Sequence, residues 1–192
     1  MTTKQVSKLG KVASDTLSMA KLADPHELYE LAVQDPPTEY EFILKNFRRI
    51  RGRAPSIVRE DFCGTAAMCR EWVSQRRNHV AIGVDLDGSV LQWARDHNLA
   101  KLTPSQRQRV SLVQGDVLSV KTEPADVALA MNFSYFIFEE RATLRREFRR
   151  VRDALVDDGV FFSAAFGGSE AFRELSECTE LDHFSYIWDQ AR

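Results

Sequence analysis

The chain has 192 residues, 44% of them hydrophobic and 28% charged, which is the make-up of one globular domain with a substantial core; two domains would be crowded. Basic and acidic residues nearly cancel to a formal charge of −2, which excludes a global field that gathers nucleic acid or anionic lipid. No stretch approaches the roughly 20 apolar residues that span a bilayer, and residues 1–24 lack a signal-peptide core, so a cytoplasmic protein with no membrane partner is expected. Cys63, Cys69 and Cys178 are odd in number and lack ligand spacing, so neither disulfides nor a metal site is indicated.

In chain order, Asp24-Pro25-His26-Glu27 has the form of a helix start, with a short helix through Leu28, Leu31 and Ala32. Pro36-Pro37 stops it, and Thr38-Glu39-Tyr40-Glu41 opens a second helix with apolar positions Tyr40, Ile43, Leu44, Phe47 and Ile50. Arg48 to Arg53 reads as a solvated linker. Residues 1–54 are expected to form an N-terminal helical segment, and 55–192 the main domain.

From there the period alternates. Residues 56–61, 80–85, 109–114, 125–132 and 159–166 read as strands, and 65–76, 88–99 and 139–155 as helices. The last helix carries Leu144, Phe148, Val151 and Leu155 as one stripe. Arg145, Arg146, Arg149, Arg150 and Arg152 lie largely on the solvated side, which favours a solvated face over a nucleic-acid patch. Such alternation means right-handed crossovers and a mostly parallel, doubly wound α/β sheet. Residues 169–178 read as a helix and Phe184 to Trp188 as a sixth strand.

In such a sheet the ligand sits beyond the carboxyl ends of the strands. Those ends carry Glu60 to Thr65, then Asp85-Leu86-Asp87, then Gly115-Asp116-Val117, then Asn132 to Tyr135. Three consecutive ends carry acids, which repel one another unless a ligand rich in hydroxyls, amines or positive charge lies between them. Asp85 is at the distance from the first turn where an acid accepts hydrogen bonds from a ribose, implying a nucleoside ligand. A dinucleotide needs G-x-G-x-x-G, whereas here Phe62 and Ala66 flank a lone Gly64, and Glu60 and Asp61 would face phosphates. A nicotinamide-dependent oxidoreductase is therefore disfavoured. A ligand with an ammonium and a sulfonium fits better.

On these residues the chain resembles the class I S-adenosylmethionine-dependent methyltransferases over roughly residues 25–190. REDFCGTA is similar to that family's first motif, with Glu60 at the acid and Phe62, Gly64 and Ala66 at its three glycines. The resemblance implies a Rossmann-like sheet and S-adenosyl-L-methionine as cofactor. Glu60 would receive the methionine ammonium, with Phe62, Cys63, Gly64 and Thr65 around it. Asp85 would take the ribose, Leu86 would pack on adenine, and Asp116 with Val117 would bind its amino group. Asn132, Phe133 and Ser134 fill the fourth motif. Asn132 and Tyr135 loosely resemble the Asn-Pro-Pro-Tyr signature of amino-group methyltransferases and are the candidate catalytic residues. The resemblance also implies that the helical segment 1–54 is a lid, with Tyr29 and Tyr40 as candidate lid residues; His26 and His183 are candidate bases, and His79 and His97 are expected at the surface.

Alternation along the first strand puts Ile57, Arg59 and Asp61 on one face and Val58, Glu60 and Phe62 on the other. Arg59 is expected to pair with Asp61 or, alternatively, to hold the cofactor carboxylate. The family's sheet has seven strands, so the chain is expected to be C-terminally truncated, or to close its edge with a second subunit as a homodimer. Two function classes follow: a methyltransferase acting on a small-molecule acceptor, and a non-catalytic module that keeps the fold with a degenerate turn.

Overall fold

The computed structural model describes residues 19–190. A short helix α1 (Met19–Leu22) precedes α2 (Pro25–Val33) and α3 (Pro36–Arg51). The alternating part follows as β1 (Ile57–Asp61), α4 (Ala67–Gln75), β2 (Val80–Asp85), α5 (Gly88–His97), α6 (Pro104–Arg107), β3 (Val110–Gln114), β4 (Ala125–Ala130), α7 (Arg141–Asp153) and β5 (Leu155–Ser163). A hairpin of β6 (Leu175–Glu180) and β7 (Ser185–Gln190) ends the described chain. The part of the expected lid before residue 19 lies outside the described residues.

Asp24 caps α2, its carboxylate accepting from the amides of His26 and Glu27. The proline pair does not stop α2 so much as start α3. Asp35 is the cap, its side chain accepting from Thr38 N, and both prolines occupy the first turn, where a missing N–H costs nothing. At its other end α3 runs through the expected linker to Arg51 and closes on Gly52 at φ 69. Arg53 is not merely solvated: it forks onto Asp158 at 2.7 Å and pairs with Asp126 at 2.7 Å. Asp126 also accepts from the amides of Ser56 and Ile57, so this cluster ties the end of α3 to the start of β1.

Among the described residues the main sheet has five strands in the order β3-β2-β1-β4-β5, every pair parallel. Consecutive strands run outward from β1 and then jump to β4 on its other side. The order thus reverses between β1 and β4, where the doubly wound topology opens a crevice. One core cluster joins Tyr40 and Phe47 of α3, Trp72 of α4 and Leu91 of α5 to Val58, Ala81, Val127 and Leu129 of the sheet. A smaller cluster holds Ile82, Val84 and Val117.

Three features differ from what the sequence predicts. Residues 169–178 are not helical: a 3-10 turn at Ser169–Phe172 leads into β6, because an antiparallel partner four residues later supplies its backbone hydrogen bonds. The expected sixth strand is β7 of that separate two-stranded sheet and does not extend the main one. His79 is fully buried instead of a surface residue; its ring stacks on Trp72 at 4.6 Å, with Nδ1 2.9 Å from the Trp72 carbonyl oxygen. Burial holds its pKa below the usual value. Tyr40 belongs to the same packed group, 5.4 Å from Trp72.

Arg59 is 1% exposed; its Nε donates to Asp61 Oδ1 at 2.8 Å, and Nη1 donates to Thr122 Oγ1 at 3.1 Å. The expected pair with Asp61 is present. Glu147 of α7 is also fully buried and near this pair, so α7 covers the face of β1 that carries the ions. Arg145, Arg146, Arg149 and Arg152 are exposed, while Arg150 turns inward to donate to the carbonyls of Ser119 and Val120.

Candidate active site

A cavity of about 240 Å³ lies in the crevice between the ends of β1 and β4. From below it is lined by Glu60, Phe62, Cys63, Gly64 and Thr65, across the crevice by Met131, Asn132 and Ser134, and from above by His26, Tyr29 and Gln34 of the α2 region. The topology brings these residues together, since Glu60 on β1 pairs with Leu129 on β4, and each strand ends one residue later.

The backbone here is unusual in one consistent way. Phe62, Ala66, Asn132 and Phe133 all have positive φ, between 52 and 60, and among the described residues they are the non-glycine residues that do. Each costs roughly 1–2 kcal/mol against an ordinary conformation, and such strain gathers at functional sites. Phe62 and Ala66 are the positions aligned with the first and third glycines of the family motif. The turn takes a left-handed path at both positions without the residue that adopts it freely. This path also explains a departure from strand alternation: the left-handed turn swings the Phe62 ring to the cluster of Ile82, Val84 and Val117, 5.9 Å from Phe138. Gly64 itself is at φ 49, and no atom comes within 4 Å of where its Cβ would be. Gly83 is needed for a different reason: a Cβ there would meet Cys63 Sγ at 2.8 Å, so the turn can lie close on β2.

Because position 62 demands a left-handed residue, Phe62→Gly is expected to be more stable than Phe62→Ala by about 1 kcal/mol, reversing the usual order. Urea unfolding of both variants measures this. An alanine variant equal to or above the glycine one would show that the turn relaxes.

Glu60 is 6% exposed, and its Oε2 accepts from Cys69 Sγ at 3.2 Å. Burial raises its carboxyl to about 8, opposed by the Cys69 hydrogen bond and reinforced by the negative charge of Glu39 and Asp85. A buried acid held neutral at the floor of a cavity is a site prepared for a cation. Burial likewise pushes the Cys63 and Cys69 thiols well up, so neither is a ready nucleophile. Two buried polar atoms of the lining have no hydrogen-bond partner, Thr65 Oγ1 and Gln34 Oε1. Buried groups of this kind are open to a hydrogen bond from a water or a polar ligand.

Asp85 stands at the rim, its Oδ2 accepting from Gly64 N at 2.8 Å and its Oδ1 from Asp87 N at 2.9 Å. Leu86 beside it is 71% exposed. Asp116 is exposed, with Oδ1 accepting from Leu118 N at 2.9 Å, and Val117 is buried in the second cluster. Asp85, Leu86, Asp116 and Val117 line none of this cavity but follow β2 and β3, the next two strand ends along the same edge. Phe133 faces the neighbouring cavity described below. Tyr135 is placed apart, its ring 4.9 Å from Phe136 and 6.3 Å from Phe148. Gln34, Val90 and Met131 also line the cavity without having been singled out from the sequence; Gln34 follows α2 just before a proline pair, where nothing but its polarity distinguishes it.

The α2 segment is held over the cavity by two polar contacts. Trp93 Nε1 of α5 donates to Asp24 Oδ2 at 2.6 Å, and Asn98 Nδ2 donates both to Glu30 Oε1 and to the Thr65 carbonyl. His26 lies between, its ring 5.3 Å from Trp93.

A family model described as a methyltransferase domain matches residues 61–162, just over half of the chain. The chain belongs to this family. The methyltransferase also resembles solved structures in fold. One is an S-adenosylmethionine-dependent methyltransferase from Clostridium acetobutylicum, with TM-score 0.67 and 17% identity over 85% of this chain and 66% of that one. A second is the S-adenosylmethionine-bound amino pentose methyltransferase CalS10 from Micromonospora echinaspora, with TM-score 0.65 and 15% identity over 84% and 65%. A third is the sugar N-methyltransferase KedS8 from Streptoalloteichus, with TM-score 0.64 and 19% identity over 97% and 69%. The methyltransferase thus spans about two thirds of the length of these structures. No curated protein matches it. Among the described residues, no helix is long and apolar enough to cross a membrane.

Proposed function

We propose that this methyltransferase uses S-adenosylmethionine to methylate a small-molecule acceptor, with the cofactor's methionine end in the cavity between β1 and β4. The observation that carries the reading is Glu60, a buried acid at the cavity floor beside the unpartnered Thr65 hydroxyl. The positive charge of the methionine ammonium would lower the Glu60 pKa, so that the carboxyl releases its proton to solvent and a charge pair is left. Thr65 and the Gly64 turn would hold the rest of that end. Asp85 would accept from the ribose hydroxyls, with Leu86 and Asp116 at the adenine, along the edge formed by the next two strands. The retained left-handed turn at Phe62 and Ala66 favours this enzyme reading over a non-catalytic module, because losing the glycines has not lost the shape.

When bound, the cofactor supplies a sulfonium methyl, which is already a good electrophile. The protein's part is to bring the acceptor atom near 3 Å in line with it and to keep water out. Asn132 at the cavity wall would orient that atom, and the helices of the 1–54 segment would act as the lid, with Tyr29 facing inward. His26 is the candidate base where the acceptor must lose a proton.

Calorimetry with S-adenosylmethionine tests the reading. The parent is expected to bind, and Asp85→Ala to weaken binding by about tenfold to a hundredfold, the worth of hydrogen bonds to a charged group. A parent that takes up no cofactor at millimolar concentration would sink the proposal.

A further inference from the structure

Beside the candidate cofactor cavity lies a second one of about 480 Å³, and the two share Tyr29 and Asn132. Its remaining walls are Ala32 and Val33 of α2, Phe133, and Tyr186 and Trp188 of β7. Phe133 and Trp188 in turn form the wall of a third cavity of about 440 Å³, which reaches Phe166 and Phe172. The rings run on without a break: Phe133 is 5.8 Å from Phe166, and Phe166 is 5.3 Å from Trp188. Among the described residues, no charged side chain lines either of these two cavities. The polar side-chain groups of the lining are the Tyr29 and Tyr186 hydroxyls, the Asn132 and Gln190 amides and the Trp188 indole N–H. The Tyr29 phenol lies above its ordinary pKa through burial, with Tyr186 adding to the shift and Asn132 opposing it.

We propose that the methyl acceptor is an uncharged molecule with a flat apolar ring system, seated in this aromatic trench with its nucleophilic hydroxyl or amine turned toward Asn132. The inference rests on the reading of the first cavity as the cofactor site, since that places the methyl at the shared wall. Cavities of this size suit small organic ligands, and flat rings gain most from offset and edge contacts with other rings. A phosphorylated or nucleotide-linked acceptor would bury its charge where no arginine or lysine meets it, which is unfavourable. The same absence argues against a strongly polar free sugar, whose hydroxyls would face phenylalanine and tryptophan.

The test titrates the full chain by calorimetry with 2-naphthol, 2-naphthyl phosphate and glucosamine, each with and without saturating S-adenosylhomocysteine. 2-Naphthol is expected to bind at least about tenfold tighter than the other two. Trp188→Ser is expected to weaken naphthol about tenfold while leaving S-adenosylhomocysteine affinity unchanged. Should that change disturb the hairpin, Phe172→Lys provides an independent reading. Phe172 is 82% exposed, and a lysine there is expected to shift the preference toward the phosphate. The proposal is overturned if naphthol does not bind, if glucosamine or the phosphate binds as tightly to the parent, or if neither substitution alters naphthol binding. Naphthol uptake by a chain that refuses S-adenosylhomocysteine would instead overturn the cofactor reading and uphold the chemistry of the trench.

Discussion

Without ligand at pH 8, Glu60→Gln is expected to melt at a higher temperature than the parent, while its affinity for S-adenosylmethionine falls by about tenfold to a hundredfold. The two effects have one cause. The folded chain holds Glu60 at about 8, against 4.5 for the free side chain. A carboxyl raised on folding contributes stability that is complete below the unfolded value and is lost as pH climbs through the folded one. Between about pH 5 and 8 this single group therefore removes stability at up to roughly 1.4 kcal/mol per pH unit. The amide has no proton to lose, so the variant's thermal stability should be flatter across that window. In the parent, cofactor affinity should rise over the same window as the carboxylate forms, and the variant should lack that slope. Thermal unfolding and calorimetry from pH 5 to 9 measure both. A variant whose stability has the parent's pH slope would show that Glu60 is already charged in the empty site.

Arg59→Leu is expected to destabilise the chain by about 3–5 kcal/mol at neutral pH, the loss typical of removing one partner of a buried ion pair. Asp61 is 1% exposed, and its carboxyl is raised by burial and held down by Arg59. Glu147 is raised to about 7 by burial, reinforced by Asp61 and opposed by Arg59. Its two oxygens have no hydrogen-bond partner. Without the guanidinium both acids rise further, so the deficit should be greatest above pH 7 and should shrink toward pH 5 as they take up protons. Cofactor affinity should not change, because Arg59 lines a separate cavity with Thr122 and Arg150, and Glu60 alone of the charged triplet faces the candidate site. Chemical denaturation at pH 5 and pH 8, beside calorimetry, decides this. A stable variant with weakened cofactor binding would return Arg59 to the role of carboxylate holder.

The pairing of Arg59 with Asp61 was legible because strand alternation is rigid and a buried cation needs a partner. The five strands and their parallel direction were legible for a similar reason, since short β-branched runs separated by helical stripes admit few topologies. Alternation failed at Phe62, one residue beyond β1, where a left-handed residue turns its ring to the opposite layer. Nothing in a phenylalanine announces a positive φ. It failed again at residues 175–180, where pairing with β7 fixes the backbone; all six are exposed, so no apolar periodicity revealed the strand. The distance between Asn132 and Tyr135 was hidden as well. Two consecutive left-handed residues and a 3-10 turn at Ser134–Ile137 send neighbours in sequence to different surroundings.

A glycine turn serves its ligand by being bare, and a bare backbone offers evolution nothing to vary. In this chain the left-handed path is taken with a phenylalanine at position 62, and the ring that a glycine would lack packs on Ile82, Val84 and Val117 and anchors the turn to that layer. Where a glycine turn is bare, this candidate cofactor turn carries its own anchor.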